Sequence, residues 1–171
     1  MAKESRPNPW VRPVMRRAAM GAGLWLAAAA AVADSASGEL ALNARTGPVS
    51  VKPQHAYLLV GPDFDGKPIR QLVLSEKDLA ATIQGCDRLG CVSGALDSGV
   101  TVDFDAGPRL NYWLVANGQR VQHSDTARPD TMKLDENGAQ RLAGQWTLSG
   151  GVGATGSVRF DASLAKRFSK N

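Results

Sequence analysis

Asn117-Gly118 stands between two β-prone runs, Leu110 to Val115 and Gln119 to His123. Asn-Gly accepts positive φ at both central positions of a tight turn, and a turn of that hand matches the twist of paired strands. This signal constrains the chain more than any other. The segment is expected to be a hairpin, and the rest of the sequence must supply a sheet to hold it.

The flanking sequence does so in short pieces. Val49 to Val60 is β-prone and ends in the apolar run Tyr57 to Val60. The stretch Gly61-Pro62-Asp63-Phe64-Asp65-Gly66 then breaks the chain as a turn. Ile69 to Leu74 reads as a second strand. Further on, Val100, Val102 and Phe104 alternate with Thr101 and Asp103, which predicts opposite faces of one strand. Thr131 to Leu134, Gln140 to Leu148 and Ser157 to Leu164 complete the series. The Gly-rich stretch Ser149 to Gly156 lacks the Lys-Ser/Thr ending of a phosphate loop and reads as a flexible connection. One helix interrupts the strands. Ser75 and Asp78 stand three apart before Leu79-Ala80-Ala81-Thr82-Ile83 in the manner of a capping box, and Gly85 suits the helix end.

The expected fold is therefore all-β, an antiparallel sandwich or open barrel of seven to eight short strands with one short helix. No βαβ alternation is present, so a parallel nucleotide-binding sheet is not expected.

The first residues read differently. Arg12, Arg16 and Arg17 precede the apolar run Ala18 to Val32, and Ala31-Val32-Ala33 fits a small-x-small cleavage site. The run has fifteen residues, shorter than the roughly 20 that span a bilayer. Residues 1–33 are expected to be a signal peptide. Residues 34–48 read as a flexible lead-in and residues 49–171 as a single β domain. The protein is thus expected in the periplasm or the medium, with no stable membrane span after cleavage.

Charge follows the same division. The formal net charge is +4, and residues 1–33 carry all of it, with five basic residues against Glu4. Residues 34–171 hold 15 basic and 15 acidic side chains. A domain without net charge has no broad field to steer a polyanion, so no nucleic-acid partner is expected.

Candidate chemistry is sparse. Cys86 and Cys91 are the two cysteines, and in an oxidising compartment they are expected to form a disulfide. Redox pairs usually have two intervening residues at a helix N-terminus, whereas these have four and follow a helix. His55 and His123 lack ligand spacing, and no metal site is assigned. Asp63-Phe64-Asp65-Gly66 and Asp103-Phe104-Asp105 place carboxylates two apart, but the further acidic positions of a calcium loop are missing and turn chemistry explains them. No nucleophile elbow and no cofactor motif occur. Tyr57, Tyr112, Trp113 and Trp146 are the aromatic residues of interest. Tyr112 and Trp113 are neighbours and point to opposite faces if they lie on a strand. These two are the candidate ligand contacts.

The stretches His55 to Leu59, Val100 to Phe104, Gly144 to Leu148 and Val158 to Ala162 together resemble a loose group of uncharacterised secreted or periplasmic β-rich bacterial proteins of unknown function. The shared pattern is an early Ala-Tyr strand, a central hairpin and a late Gly-x-Trp and Phe-Asp-Ala pair of strands. The resemblance implies a β-rich envelope domain and supplies no catalytic residues. The Cys86–Cys91 loop departs from the group's pattern.

The expected function is a non-enzymatic binding or interaction module of the envelope, with a small ligand or an envelope protein as partner and no cofactor. Two alternatives stand beside it. A carboxylate pair of perturbed pKa in one cleft would favour a small secreted hydrolase. A large apolar cavity inside the barrel would favour a carrier of a lipid or small apolar ligand.

Overall fold

The computed structural model describes residues 34–44, 47–149 and 153–171. The signal-peptide reading of residues 1–33 lies outside the described residues. Ten strands are present among the described residues: β1 (Ser35–Ala44), β2 (Gly47–Val51), β3 (His55–Pro62), β4 (Pro68–Ser75), β5 (Gly99–Phe104), β6 (Leu110–Ala116), β7 (Val121–Ala127), β8 (Met132–Asn137), β9 (Arg141–Leu148) and β10 (Ala154–Arg167). Two short helices, α1 (Ala80–Gly85) and α2 (Leu89–Ala95), stand between β4 and β5.

The strands form one curled sheet system around β10. Residues 154–163 of β10 pair antiparallel with β1 on one side and β9 on the other. Leu164 to Arg167 run on beside β3, and this pairing is parallel. The order β2-β1-β10-β9-β8 makes one layer, and the end of β10 with β3-β4-β5-β6-β7 makes the other. The architecture is the all-β open barrel or sandwich that the strand pattern implies.

Burial explains why the strands differ in sequence. β9 alternates strictly, with Leu142, Gly144, Trp146 and Leu148 buried and Gln145 and Thr147 exposed. Only one face of that layer is covered. β3 and β4 read as continuous apolar runs, Tyr57-Leu58-Leu59 and Leu72-Val73-Leu74, because both of their faces are covered. Inside, Leu58, Leu72, Leu114, Leu142 and Trp146 share the main core. Outside, Tyr57, Leu59, Val73 and Val115 pack against Ile83, Leu89, Val92 and Leu96 from the helical segment.

Three sequence readings need correction. The lead-in 34–48 is not a flexible segment in the structure. It contains β1, whose Leu40 and Leu42 alternate into the main core, and the start of β2. With β1 hidden in small polar residues and Val49 to Val60 split at Lys52-Pro53-Gln54, the strand number rises to ten. The helical segment holds two helices, since α2 begins inside the cysteine loop.

The third correction concerns the start of α1, where the capping box does not form. Ser75 ends β4, and its hydroxyl accepts from the Lys77 N–H (3.2 Å). Asp78 Oδ1 accepts from the Ala80 N–H (2.8 Å) and from the Tyr57 hydroxyl (2.6 Å), while the Leu79 N–H donates to that same hydroxyl (2.9 Å). A strand tyrosine therefore fixes where α1 starts.

The end of α1 is held from β10. Lys166 Nζ donates to the carbonyls of Ile83 (3.2 Å), Gln84 (2.8 Å) and Cys86 (2.6 Å). An ammonium satisfies the open carbonyls of a helix C-terminus and complements its dipole. Lys166→Met removes these charge-assisted bonds, and a loss of about 1.5–3 kcal/mol is expected in denaturant titration.

The Cys86–Cys91 disulfide is formed, with a sequence separation of 5. It ties the C-cap of α1 to the first turn of α2. A loop this short gives about 2 kcal/mol in the chain-entropy account. Reductant should therefore lower the melting temperature of the protein, and Cys86→Ser/Cys91→Ser should abolish that response.

Candidate functional site

The outer face of β4, β5 and β6 carries four side chains that converge. Gln71 lies directly across from Asp103, and Thr101 directly across from Trp113. The alternation that points Val100, Val102 and Phe104 inward turns Thr101 and Asp103 outward, toward the helices. Beside them lies α2, which packs through Leu89 and Val92 and lines the open space with the small residues Gly90, Ser93 and Gly94. The space left between helix and sheet is a cleft of about 420 Å³. Ile69, Leu89 and Trp113 give it apolar walls, and Asp63 and Phe64 form part of its rim.

The rim is built by turn chemistry. Asp63 Oδ1 accepts from the N–H groups of Asp65 (2.9 Å) and Lys67 (2.8 Å), and the Gly66 N–H donates to the Asp63 carbonyl (3.1 Å). Gly66 has φ +80°, which the turn requires. The product is a fixed loop whose apex side chain, Phe64, is 98% exposed. It is the one large apolar side chain left uncovered among the described residues.

The floor is polar and incompletely paired. Gln71 is only 6% exposed. Its Nε2 donates to Asp103 Oδ1 (2.7 Å), while its Oε1 is buried without a partner among the described residues. A buried acceptor left unpaired costs about 1–3 kcal/mol. Burial also pushes the Asp103 carboxyl above its usual range; the Gln71 hydrogen bond opposes the shift and the negative charge of Asp63 adds to it. Among the described residues, no lysine or arginine lines the cleft.

A raised carboxyl pKa makes Asp103 a stability liability at neutral pH. Its folded-state pKa lies above the unfolded value, so its favourable contribution is full below about pH 3.9 and is lost as pH rises through the folded-state pKa. Asp103→Asn should therefore stabilise the protein at pH 7, with the advantage over the native chain shrinking toward pH 4. Paired urea titrations at the two pH values check this, and equal differences at both would refute it.

The sequence candidates fall in different places. Trp113 lines the cleft and packs on the outer core. Tyr112 points the other way, into the main core, edge-on to Trp146 at 5.3 Å between ring centroids. It borders a smaller polar hollow with Arg109, Asp125 and Thr126. Cys86 belongs to the outer core, and Cys91 packs against it in α2. His55 lies on β3 and His123 on β7, with three strands between them. No group of three or more His, Cys, Asp or Glu that could hold a metal occurs among the described residues. Asp105 leaves the cleft region and pairs with Arg70 (2.7 Å).

Gln71, Thr101 and the small residues of α2 are parts of the site that the sequence does not single out, and of the two carboxylates it assigns to turns, Asp63 holds a turn whereas Asp103 lies on β5. One signal was available. A glutamine inside the apolar run Ile69 to Leu74, followed by outward Thr101 and Asp103 on another strand, marks polar groups where a second apolar layer is expected. No protein-family model, no curated protein and no solved structure matches this chain.

Proposed function

We propose that this protein is an exported, non-enzymatic binding module that takes a small ligand in the cleft between α2 and the outer face of β4–β6. The observation that carries the reading is the floor of that cleft. Gln71 Oε1 is a buried acceptor without a partner among the described residues, beside a carboxyl whose pKa burial has raised. Folds rarely leave such groups unpaired, and clusters of this kind mark functional sites. The ligand brings a hydrogen-bond donor to the floor and an apolar body to Ile69, Leu89 and Trp113. A mostly apolar cleft with a few convergent polar groups is the usual form of a small-molecule site. Residues 1–33 with their basic and apolar segments, the Cys86–Cys91 disulfide and the resemblance to β-rich envelope domains support export.

The interior of the barrel supports this cleft over an internal carrier site. Leu40, Leu58, Leu72, Leu114, Leu142 and Trp146 fill it and are almost wholly buried. A hydrolase reading draws on one specific observation, that Asp63 and Asp103 border the same cleft. Against it, Asp63 Oδ1 is committed to two backbone N–H groups of its own turn, and neither histidine lines the cleft.

A fragment screen by ligand-observed NMR tests the binding reading. Fragments that bind are expected to share a donor head and to be lost in Ser93→Trp, which fills the cleft. Binding that Ser93→Trp leaves intact, or no binding fragment at all, would count against this site.

A further inference from the structure

Resting on that reading, we infer that the cleft selects an organic cation, a primary ammonium on an aromatic-sized apolar body. Two carboxyl groups border it, Asp103 at the floor and Asp63 at the rim, and beneath the floor Gln71 Oε1 is buried without a partner among the described residues. A primary ammonium has three N–H donors and no acceptor, so it can answer these groups without setting lone pair against lone pair. A neutral hydroxyl can donate to one of them, but it does nothing for the buried charge of Asp103.

The charge count of the lining points the same way. Among the described residues the cleft has two side-chain carboxylates and no basic side chain, so an anionic ligand meets like charge and a cation meets its complement. The walls add a second attraction. Trp113 lies in the wall and Phe64 stands uncovered on the rim. Aromatic faces attract cations, most strongly where water is excluded. A volume of about 420 Å³ suits a ligand with one or two rings. Leu89 and Ile69 supply the apolar surface such a body needs.

The test compares three probes of nearly equal shape: 2-phenylethylamine, 2-phenylethanol and 3-phenylpropionate. The readout is the indole N–H cross-peak of Trp113, assigned by its loss in Trp113→Phe. The amine is expected to shift that peak and to bind at least tenfold more tightly than the alcohol, with no shift from the carboxylate. In Asp103→Asn the amine should lose at least tenfold in affinity while the alcohol changes less than threefold. If the alcohol binds as tightly as the amine, selection of a cation is wrong and the cleft remains a binding site. If none of the probes moves the Trp113 peak at millimolar concentration, both the cation inference and the proposed cleft are overturned.

Discussion

Trp146→Ala should cost about 3–5 kcal/mol of folding free energy, the range for removing a large aromatic side chain from a packed core. Trp146 is fully buried, and β9 places it between Val158 of β10 and Met132 of β8. Its ring meets Tyr112 edge-on from the opposite layer, so it spans the two halves of the barrel. Its indole Nε1 donates to Thr131 Oγ1 (3.2 Å), which anchors the turn that enters β8. Alanine would remove the bridge between layers and leave a void that neighbouring strands cannot close without breaking register. Domains of this size have about 5–15 kcal/mol in total, so the variant would sit near the edge of folding. Urea unfolding followed by far-UV circular dichroism measures the change. A loss below about 1 kcal/mol would mean that the two layers do not depend on this ring.

Gly156→Ala is expected to be nearly as damaging, at about 3 kcal/mol, although it adds one methyl group. Gly156 has φ +125°, a conformation that side-chain-bearing residues strongly avoid. A Cβ there would also fall far inside contact distance of the Glu39 carbonyl oxygen on β1. The clash is with backbone, so no rotamer change relieves it. β1 and β10 would have to separate where Leu40 pairs with Gly156. Gly118→Ala is the informative control. Gly118 also has a positive φ, +65°, but an added methyl group there would meet nothing within 4 Å. That variant should lose only the local strain, about 1 kcal/mol. Equal losses at the two positions, measured by the same urea titration, would show that strand approach contributes nothing.

The parts of this fold that were legible in the sequence are those set by local chemistry. Asn117 and Gly118 do adopt positive φ, +54° and +65°, between β6 and β7. The turn is longer than a two-residue loop because Gln119 also takes a positive φ, +64°. Cys86 and Cys91 are paired, as two cysteines in one short polar loop imply. What escaped was set by distant contacts. β1 carries only Leu40 and Leu42 as large apolar residues, and its pairing with β10 makes it a strand. α2 is Leu-Gly-Cys-Val-Ser-Gly-Ala, poor in helix formers. Its Leu89 and Val92, with Leu96 beyond, find a surface on the outer sheet face, and the disulfide holds its first turn. The cleft is further from sequence view. It joins side chains from the β3–β4 turn, three strands and α2, so spacing along the chain does not announce it.

The position of β10 has a consequence for the order in which the protein can assemble. Ser35 of β1 pairs with Asp161, and Leu58 of β3 pairs with Leu164. Both early strands must wait for a partner that emerges more than a hundred residues later in a chain made from its N-terminus. Long-range closures of this kind are slow, because the loop entropy is spent before the contacts form. Until then β1 and one edge of β3 present open backbone to other chains. The Asn117–Gly118 hairpin and the Cys86–Cys91 ring are local and can form first. The half-made molecule is therefore an antiparallel sheet from β3 to β7 with an unsealed edge, and arrival of the final strand is the event that shuts it.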